Sequence, residues 1–135
     1  MSRTAASLVA RSLLALSLCL GPLVGPGTVQ ARDAFRGSEA TVLVAELPRQ
    51  GQQTYRLIHE GGPFAHDKDG VVFGNRERLL PVMRRGYYRE YTVKTPGVRH
   101  RGARRIVCGG HERTRPDKCY YTSDHYSSFK RIVEQ

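Results

Sequence analysis

The sequence predicts an α+β domain, in which one N-terminal helix packs on a twisted antiparallel β-sheet. Two observations carry this prediction: an early helical stretch, and a later series of short strand-like runs between glycine-rich turns. Pro48 suits the first turn of the helix. Tyr55, Leu57 and Ile58 then supply its apolar stripe. The helix is expected to end at Gly61-Gly62-Pro63, because glycine and proline stop helices.

The strand-like runs are rich in valine, isoleucine, tyrosine and threonine, which favour a pleated sheet. They occupy residues 41–45, before the helix, and then 71–73, 86–93, 104–108, 119–122 and 129–133. Short strands at regular spacing are typical of an antiparallel sheet. A helix followed by such a run covers one face of the sheet and leaves the other free to carry a site.

The first 31 residues differ in composition from the rest. They contain Arg3 and Arg11, no acidic residue, and an apolar run over residues 13–20. This order is typical of a secretory signal peptide, with cleavage expected after Ala31. A membrane anchor or a buried helix is the alternative, but a spanning helix needs about 20 unbroken apolar residues and Gly21-Pro22 interrupts the run. Residues 32–135 are therefore expected to form one secreted domain without a membrane anchor.

The chain is strongly basic, with 22 Lys and Arg against 12 Asp and Glu and a formal net charge of +10. Removal of residues 1–31 takes away two arginines and no acid, which leaves a net charge of +8. Excess positive charge attracts nucleic acid, anionic membranes and acidic polysaccharides. Charge alone does not separate these partners from a merely soluble basic surface.

Cys108 and Cys119 remain after the predicted cleavage, which removes Cys19. An even count in a small secreted domain favours a disulfide, here a staple across a hairpin. The alternative is a buried free thiol at Cys108 and an exposed one at Cys119. Two cysteines and the intervening His111 are too few for a structural zinc site.

Glu90 stands in the middle of an aromatic-rich predicted strand. Alternation places it on one face with Tyr88 and Thr92, and places Tyr87 and Tyr91 on the other. Strands disfavour glutamate and burial of its charge is costly, so it needs cationic neighbours or a working surface. A cross-strand ion pair is the structural alternative.

Arginines and a histidine supply further candidates. Residues 99–105 contain four arginines in seven positions, and the planar guanidinium matches phosphate oxygens. Alternation separates Arg104 from Arg105, so these arginines cannot all serve one site. His125 lies in a predicted turn and can titrate near neutral pH. A solvated basic loop and a structural histidine are the alternatives.

Together, a carboxylate, paired arginines and a histidine suit RNA cleavage without a metal or cofactor. A base removes the ribose 2′-OH proton, arginines stabilise charge on the phosphoryl oxygens, and an acid protonates the departing 5′-oxygen. DNA lacks the 2′-OH and is expected to be inert.

Several motifs occur in register: DGVVFGNRE at residues 69–77, GYYREYTV at residues 86–93, and YTSDHY at residues 121–126. In this order they resemble the microbial guanyl-specific ribonucleases, the barnase relatives, and most nearly their small secreted bacterial branch. The resemblance covers nearly all of residues 41–133. It implies the microbial ribonuclease fold and cleavage of single-stranded RNA after guanosine, through a 2′,3′-cyclic phosphate that is then hydrolysed to a 3′-phosphate.

The resemblance also implies catalytic roles. Glu90 falls on the family's general base and His125 on its general acid. Arg101 and Arg105 fall on the phosphate-binding arginines, and Tyr126 on the tyrosine beside the catalytic histidine.

Residues 73–77 fall on the family's guanine-recognition loop. The Glu77 carboxylate can accept the N1–H and N2–H₂ donors of guanine, while backbone N–H groups near Asn75 and Arg76 reach O6. Adenine would leave these groups unpaired. Phe73 and Tyr126 are candidates to stack on the base.

The chain departs from its relatives at Gly74 and Arg89, where a longer polar residue and a histidine are frequent. The segment between the two cysteines is longer and more basic than usual, so it either adds RNA contacts or is solvated surface.

The family implies an acidic intracellular inhibitor as a partner, and a monomer is expected. The rival interpretations are a non-catalytic cationic protein that binds RNA or membranes, and a toxin with the same chemistry.

Overall fold

The computed structural model describes residues 39–135, so the predicted signal peptide and its cleavage site lie outside the described residues. The described chain forms one α-helix and a six-stranded sheet. The elements are β1 (Thr41–Leu43), a 3₁₀ turn (Val44–Glu46), α1 (Arg49–Glu60), β2 (Val71–Val72), β3 (Tyr88–Thr92), β4 (Arg105–Gly109), β5 (Lys118–Thr122) and β6 (Lys130–Val133). Within these residues no helix is long or apolar enough to cross a membrane.

The strand order is β1-β6-β5-β4-β3-β2. The pairs from β2 to β6 are antiparallel, as predicted, whereas β1 pairs with β6 in parallel. The predicted antiparallel sheet therefore has one parallel pair, at the β1 edge. A parallel pair needs a long crossover, and here the rest of the domain lies between the two strands. Their order could not be deduced from alternation.

Helix α1 begins after Pro48 and ends at Gly61, whose φ of 84° is left-handed. The Gly62 N–H donates to the Leu57 carbonyl at 2.9 Å, which closes the last turn. The buried positions of the helix are Gly51, Thr54 and Ile58, so the predicted apolar stripe shares its burial with a glycine and a threonine. Thr54 Oγ1 donates to the Thr92 carbonyl at 3.2 Å, which ties the helix to β3, and a Cβ at Gly51 would lie 3.3 Å from Leu47 Cβ.

Two clusters of buried side chains lie on opposite faces of the sheet. The first fills the space under the helix and contains Leu47, Ile58, Tyr91, Val93, Ile106, Cys108, Cys119 and Ile132. The second lies on the other face and contains Leu80, Tyr87, Tyr88, Val107 and Tyr120. The predicted alternation of β3 and β4 is thus confirmed for the residues within the strands.

Tyr87 is the exception to that alternation. It precedes β3 and packs in the same cluster as Tyr88, with ring centroids 4.9 Å apart. Both rings lie over Gly109, where a Cβ would overlap the ring of Tyr87. The glycine is therefore required by close approach.

The predicted disulfide is present. It joins Cys108 and Cys119, which are paired directly across β4 and β5. Both cysteines are buried, which rules out the alternative of an exposed Cys119 thiol.

Candidate active site

A groove of about 1290 Å³ crosses the sheet face that the helix leaves open. Strand β3 supplies its centre, and the segments after β2 and β5 supply its walls. The lining residues include Phe73, Gly74, Asn75, Arg76, Glu77, Leu79, Met83, Arg84, Arg85, Tyr88, Glu90, His125, Tyr126 and Phe129.

Glu90 lies in the middle of β3, opposite Val107 on one side and Val71 on the other. Its side chain is 13% exposed. One carboxylate oxygen, Oε1, lies 3.3 Å from Nη2 of Arg101, and the other, Oε2, accepts a hydrogen bond from the Tyr126 hydroxyl at 2.5 Å. Each carboxylate oxygen is thus held by a neighbouring side chain, one by a guanidinium and the other by a hydroxyl donor.

Arg101 is held by residues that received no role from the sequence. Its Nε donates to Thr92 Oγ1 at 2.9 Å, and its Nη2 lies 3.8 Å from Asp69 Oδ1. The same Asp69 oxygen accepts the Thr92 N–H at 2.7 Å, and the Asp69 side chain is only 4% exposed. The position of Thr92 on the Glu90 face was a usable signal, whereas the sequence singled out Asp69 only as the first residue of the motif at residues 69–77.

Arg105 is 3% exposed and opens β4. Its Nη1 donates to the carbonyls of Gly102 at 2.9 Å and Arg104 at 2.7 Å, which fixes the guanidinium. Its Cζ lies 6.0 Å from the centroid of the Tyr126 ring. Among the described residues the buried Nε has no hydrogen-bond partner.

His125 follows β5 in a tight turn and is exposed in the groove. Both His125 (φ 54°) and Tyr126 (φ 71°) have left-handed backbones. This conformation is strained for side chains other than glycine. The His125 N–H donates to the Ala103 carbonyl at 3.1 Å.

The Asp124 side chain stabilises this turn. Its Oδ1 accepts from Thr122 Oγ1 at 2.8 Å and from the Ser128 N–H at 2.9 Å, and its Oδ2 accepts from Ser128 Oγ at 2.5 Å. Hydrogen bonds from Ser128, and then from Thr122, lower the pKa of Asp124 to about 2. The carboxylate therefore stays ionised and keeps the histidine turn in place.

The predicted guanine loop is shaped by Asn75. Its backbone is left-handed (φ 44°), and its side chain both donates to the Leu80 carbonyl at 2.9 Å and accepts the Leu80 N–H at 3.1 Å. The side-chain amide is thus used within the loop. Arg76 and Glu77 are exposed and line the groove.

Phe73 and Tyr126 lie side by side, with ring centroids 5.0 Å apart and planes at 31°. A base cannot be inserted between rings at this separation, but it can stack on their outer faces. Burial, and then the hydrogen bond to Glu90, raise the pKa of Tyr126 to about 12, so its hydroxyl stays protonated at neutral pH.

The structure brings Glu90, Arg101, Arg105 and Tyr126 into one set of contacts and places the other predicted site residues around the same groove. Arg89 is not part of it, because its Nη1 donates to the Gly70 carbonyl at 2.8 Å. Within residues 39–135 no cluster of three or more His, Cys, Asp or Glu side chains is arranged to hold a metal ion.

The family model for ribonuclease matches residues 30–133. Among characterised relatives, guanyl-specific ribonuclease Sa3 of Kitasatospora aureofaciens is 55% identical over 67% of this chain, and the match spans 62% of that relative's length. Guanyl-specific ribonuclease Sa of the same organism is 52% identical over 68% of this chain and 92% of its own. Guanyl-specific ribonuclease St of Saccharopolyspora erythraea is 49% identical over 68% of this chain and 86% of its own.

Solved structures give the same result. A crystal structure of ribonuclease Sa2 with guanosine-2′-cyclophosphate superposes with a TM-score of 0.64 at 45% identity, over 71% of this chain and 97% of that one. A structure of ribonuclease Sa2 with 3′-GMP has a TM-score of 0.63 at 44% identity, over 71% of this chain and 98% of that one. The fold, the groove and these matches together show that the chain belongs to the ribonuclease family.

Proposed function

We propose that this protein is a guanyl-specific endoribonuclease that cleaves single-stranded RNA on the 3′ side of guanosine. The observation that carries the proposal is the pairing of both Glu90 oxygens, by Arg101 and by Tyr126, in a groove that also holds His125. The nucleophile is the ribose 2′-OH of the substrate, so the protein needs to supply a base, an acid and cations for the phosphate.

Glu90 removes the proton from the 2′-OH as O2′ attacks the adjacent phosphorus. The bond from phosphorus to the 5′-oxygen breaks, and His125 donates a proton to that oxygen. Arg101 and the buried guanidinium of Arg105 stabilise the charge on the non-bridging oxygens. The product is a 2′,3′-cyclic phosphate. Water then opens it to a 3′-phosphate, with His125 acting as base and Glu90 as acid.

Guanine is selected by the loop that contains Asn75, Arg76 and Glu77. The internal hydrogen bonds of Asn75 hold the loop in shape, which frees backbone N–H groups to reach O6. The exposed Glu77 carboxylate accepts the N1–H and N2–H₂ donors. The relatives named guanyl-specific ribonucleases, and the ribonuclease Sa2 structures with guanine nucleotides, support this selection.

Digestion of a defined RNA with mapping of the new ends tests the proposal. Cuts after guanosine that start with a 2′,3′-cyclic phosphate are expected, and Glu90→Gln should lower the rate by about 10²–10⁴-fold while RNA affinity is retained. Arg56→Ala on the exposed helix face is the matched control. Cuts spread evenly over four bases would exclude the guanine role of Glu77.

The rival candidate, a non-catalytic cationic binder, rests on the basic composition alone. A binder of this kind would bind RNA without cleaving it, so the Glu90→Gln variant would have no cleavage activity to lose. The two candidates therefore differ in a single assay.

We also propose secretion, with residues 1–31 removed, and an acidic inhibitor inside the producing cell. The buried disulfide supports an oxidising destination. The excess of basic residues would attract an acidic protein to the groove. N-terminal sequencing of the protein from culture medium, with Arg32 expected first, tests the cleavage site.

A further inference from the structure

The open face of the sheet, which carries the groove, has two ends that the strand register defines. At one end lie Thr92, Arg105 and Thr122, which are paired across β3, β4 and β5. At the other end Tyr88 is paired with Gly109, and Gly109 with Lys118. The length of β3 separates these ends by about 13 Å, since a strand rises about 3.3 Å per residue.

The proposed catalytic groups occupy the first end and the middle. Arg105 lies at that end, and the His125 N–H is tied to Ala103, just before β4. Glu90 lies in the middle of β3. The direction from Glu90 to His125 therefore points away from the end that contains Tyr88.

The opposite end carries two further arginines, Arg84 and Arg85, which are exposed and line the same groove. Among residues 39–135 neither guanidinium lies within 4.0 Å of a carboxylate oxygen. Arg84 Nη2 lies 2.8 Å from Nδ1 of His111, which comes from the loop between β4 and β5. That loop thus holds one cation at the end of the groove.

Apolar side chains accompany these arginines. Leu79 and Met83 line the groove and are 51% and 47% exposed, although both are large and hydrophobic. Cations beside an exposed apolar wall match the two parts of a nucleotide, because its phosphate needs positive charge and the faces of its base can pack on hydrophobic side chains.

We propose that Arg84 and Arg85 form a second phosphate subsite, which binds RNA on the 5′ side of the cleaved guanosine. The inference rests on the proposed ribonuclease function. In an in-line displacement the attacking and leaving oxygens lie on opposite sides of the phosphorus. The leaving nucleotide, on the 3′ side, departs past His125. The 5′ segment therefore runs in the other direction, toward Arg84 and Arg85.

The first experiment measures kcat/KM for a guanosine-cytidine dinucleotide and for the same dinucleotide with three uridines added on its 5′ or its 3′ side. In the wild type the 5′ extension should raise kcat/KM. The double variant Arg84→Ala/Arg85→Ala should reduce this gain by about fivefold, the size expected for an exposed ion pair. The matched control Arg49→Ala/Arg56→Ala removes the same charge from helix α1 and should keep the gain.

The second experiment separates the subsite from catalysis. An RNA that contains 2′-deoxyguanosine cannot be cleaved at that position, so its Kd reports binding alone. In the double variant the slope of log Kd against log salt should fall by about 0.7, as expected for one phosphate contact on a single strand. Arg84→Lys/Arg85→Lys keeps both charges and should keep most of the slope.

The subsite proposal is overturned if the double variant keeps both the gain in kcat/KM from the 5′ extension and the wild-type salt slope. It is also overturned if the double variant loses the gain from the 3′ extension instead. If the wild type cleaves no RNA, the proposed function fails. The salt slope still decides whether this end of the groove binds a phosphate.

Discussion

The hydrogen bond from Tyr126 to Glu90 gives a prediction that combines stability with pH. Tyr126→Phe removes the hydroxyl, which lies 2.5 Å from Glu90 Oε2, and keeps the ring. A hydrogen bond to a charged group contributes about 1.5–3 kcal/mol. Because the Glu90 side chain is 13% exposed, water replaces part of this contribution in the variant. We expect the free energy of unfolding to fall by about 1.5 kcal/mol at neutral pH.

The loss of unfolding free energy in Tyr126→Phe should be smaller at alkaline pH. The folded protein holds the pKa of Tyr126 at about 12, whereas an unfolded tyrosine has a pKa of about 10. A raised pKa contributes stability that is complete below about pH 10 and is lost as the pH rises through about 12. At about pH 11 this titration should lower the free energy of unfolding of the wild type by at most about 1.4 kcal/mol, whereas the variant has no such loss. Solvent screening of this partly exposed group reduces the difference to about 1 kcal/mol.

Urea unfolding of both proteins at about pH 7 and about pH 11 measures the two differences. Tyr55→Phe is a matched control, because Tyr55 donates to Glu134 at 3.0 Å and its pKa is also raised to about 12. It should show the same alkaline trend with a smaller deficit, because Glu134 is exposed, and it should leave RNA cleavage intact, whereas Tyr126→Phe should lower cleavage. A deficit that is the same at both pH values would refute the reasoning.

Three further changes test other parts of the structure. Asp124→Asn should lower the melting temperature above about pH 4 but not near pH 2, because stability from a lowered pKa is lost as the pH falls through about 2. Cys108→Ala/Cys119→Ala opens a loop with a sequence separation of 11 and should cost about 3 kcal/mol of unfolding free energy by urea titration, with the cleavage pattern kept. Asn75→Ala removes the side-chain bonds that shape the guanine loop, so end mapping should show weaker preference for guanosine; an unchanged pattern would contradict the role of the loop.

The sequence predicted the elements that depend on local pattern. Helix α1 and strands β3, β4 and β5 occur where glycine, proline and alternation placed them, and Glu90 faces the groove as alternation required. The parallel contact of β1 with β6 was missed, because no local pattern encodes a pairing between residues near opposite ends of the domain. The crossover, not the side-chain period, determines that pairing.

For the candidate site, the sequence predicted which residue types take part, but it could not predict which side chains contact each other. Glu90, Arg101 and His125 were predicted from their chemistry and a family resemblance, and the structure places Glu90 and His125 in one groove with Arg101 beside Glu90. The anchoring of Arg101 by Asp69 depends on residues far apart in the chain. The bond from Tyr126 to Glu90 likewise joins positions 36 residues apart, so the sequence indicated a stacking role and a position beside His125 for that ring, but not its bond to Glu90.

The strained turn at His125 and Tyr126 links the two proton transfers of the proposed reaction. His125 is the proposed acid, and the Tyr126 hydroxyl bonds to the proposed base, Glu90. Hydrogen bonds to Asp124 stabilise the turn that contains both His125 and Tyr126. A displacement of this turn would move acid and base together, so proton donation and proton removal should fail as one unit. In a double-mutant cycle Asp124→Asn and Tyr126→Phe should therefore be strongly non-additive in kcat, although each alone changes a different hydrogen bond.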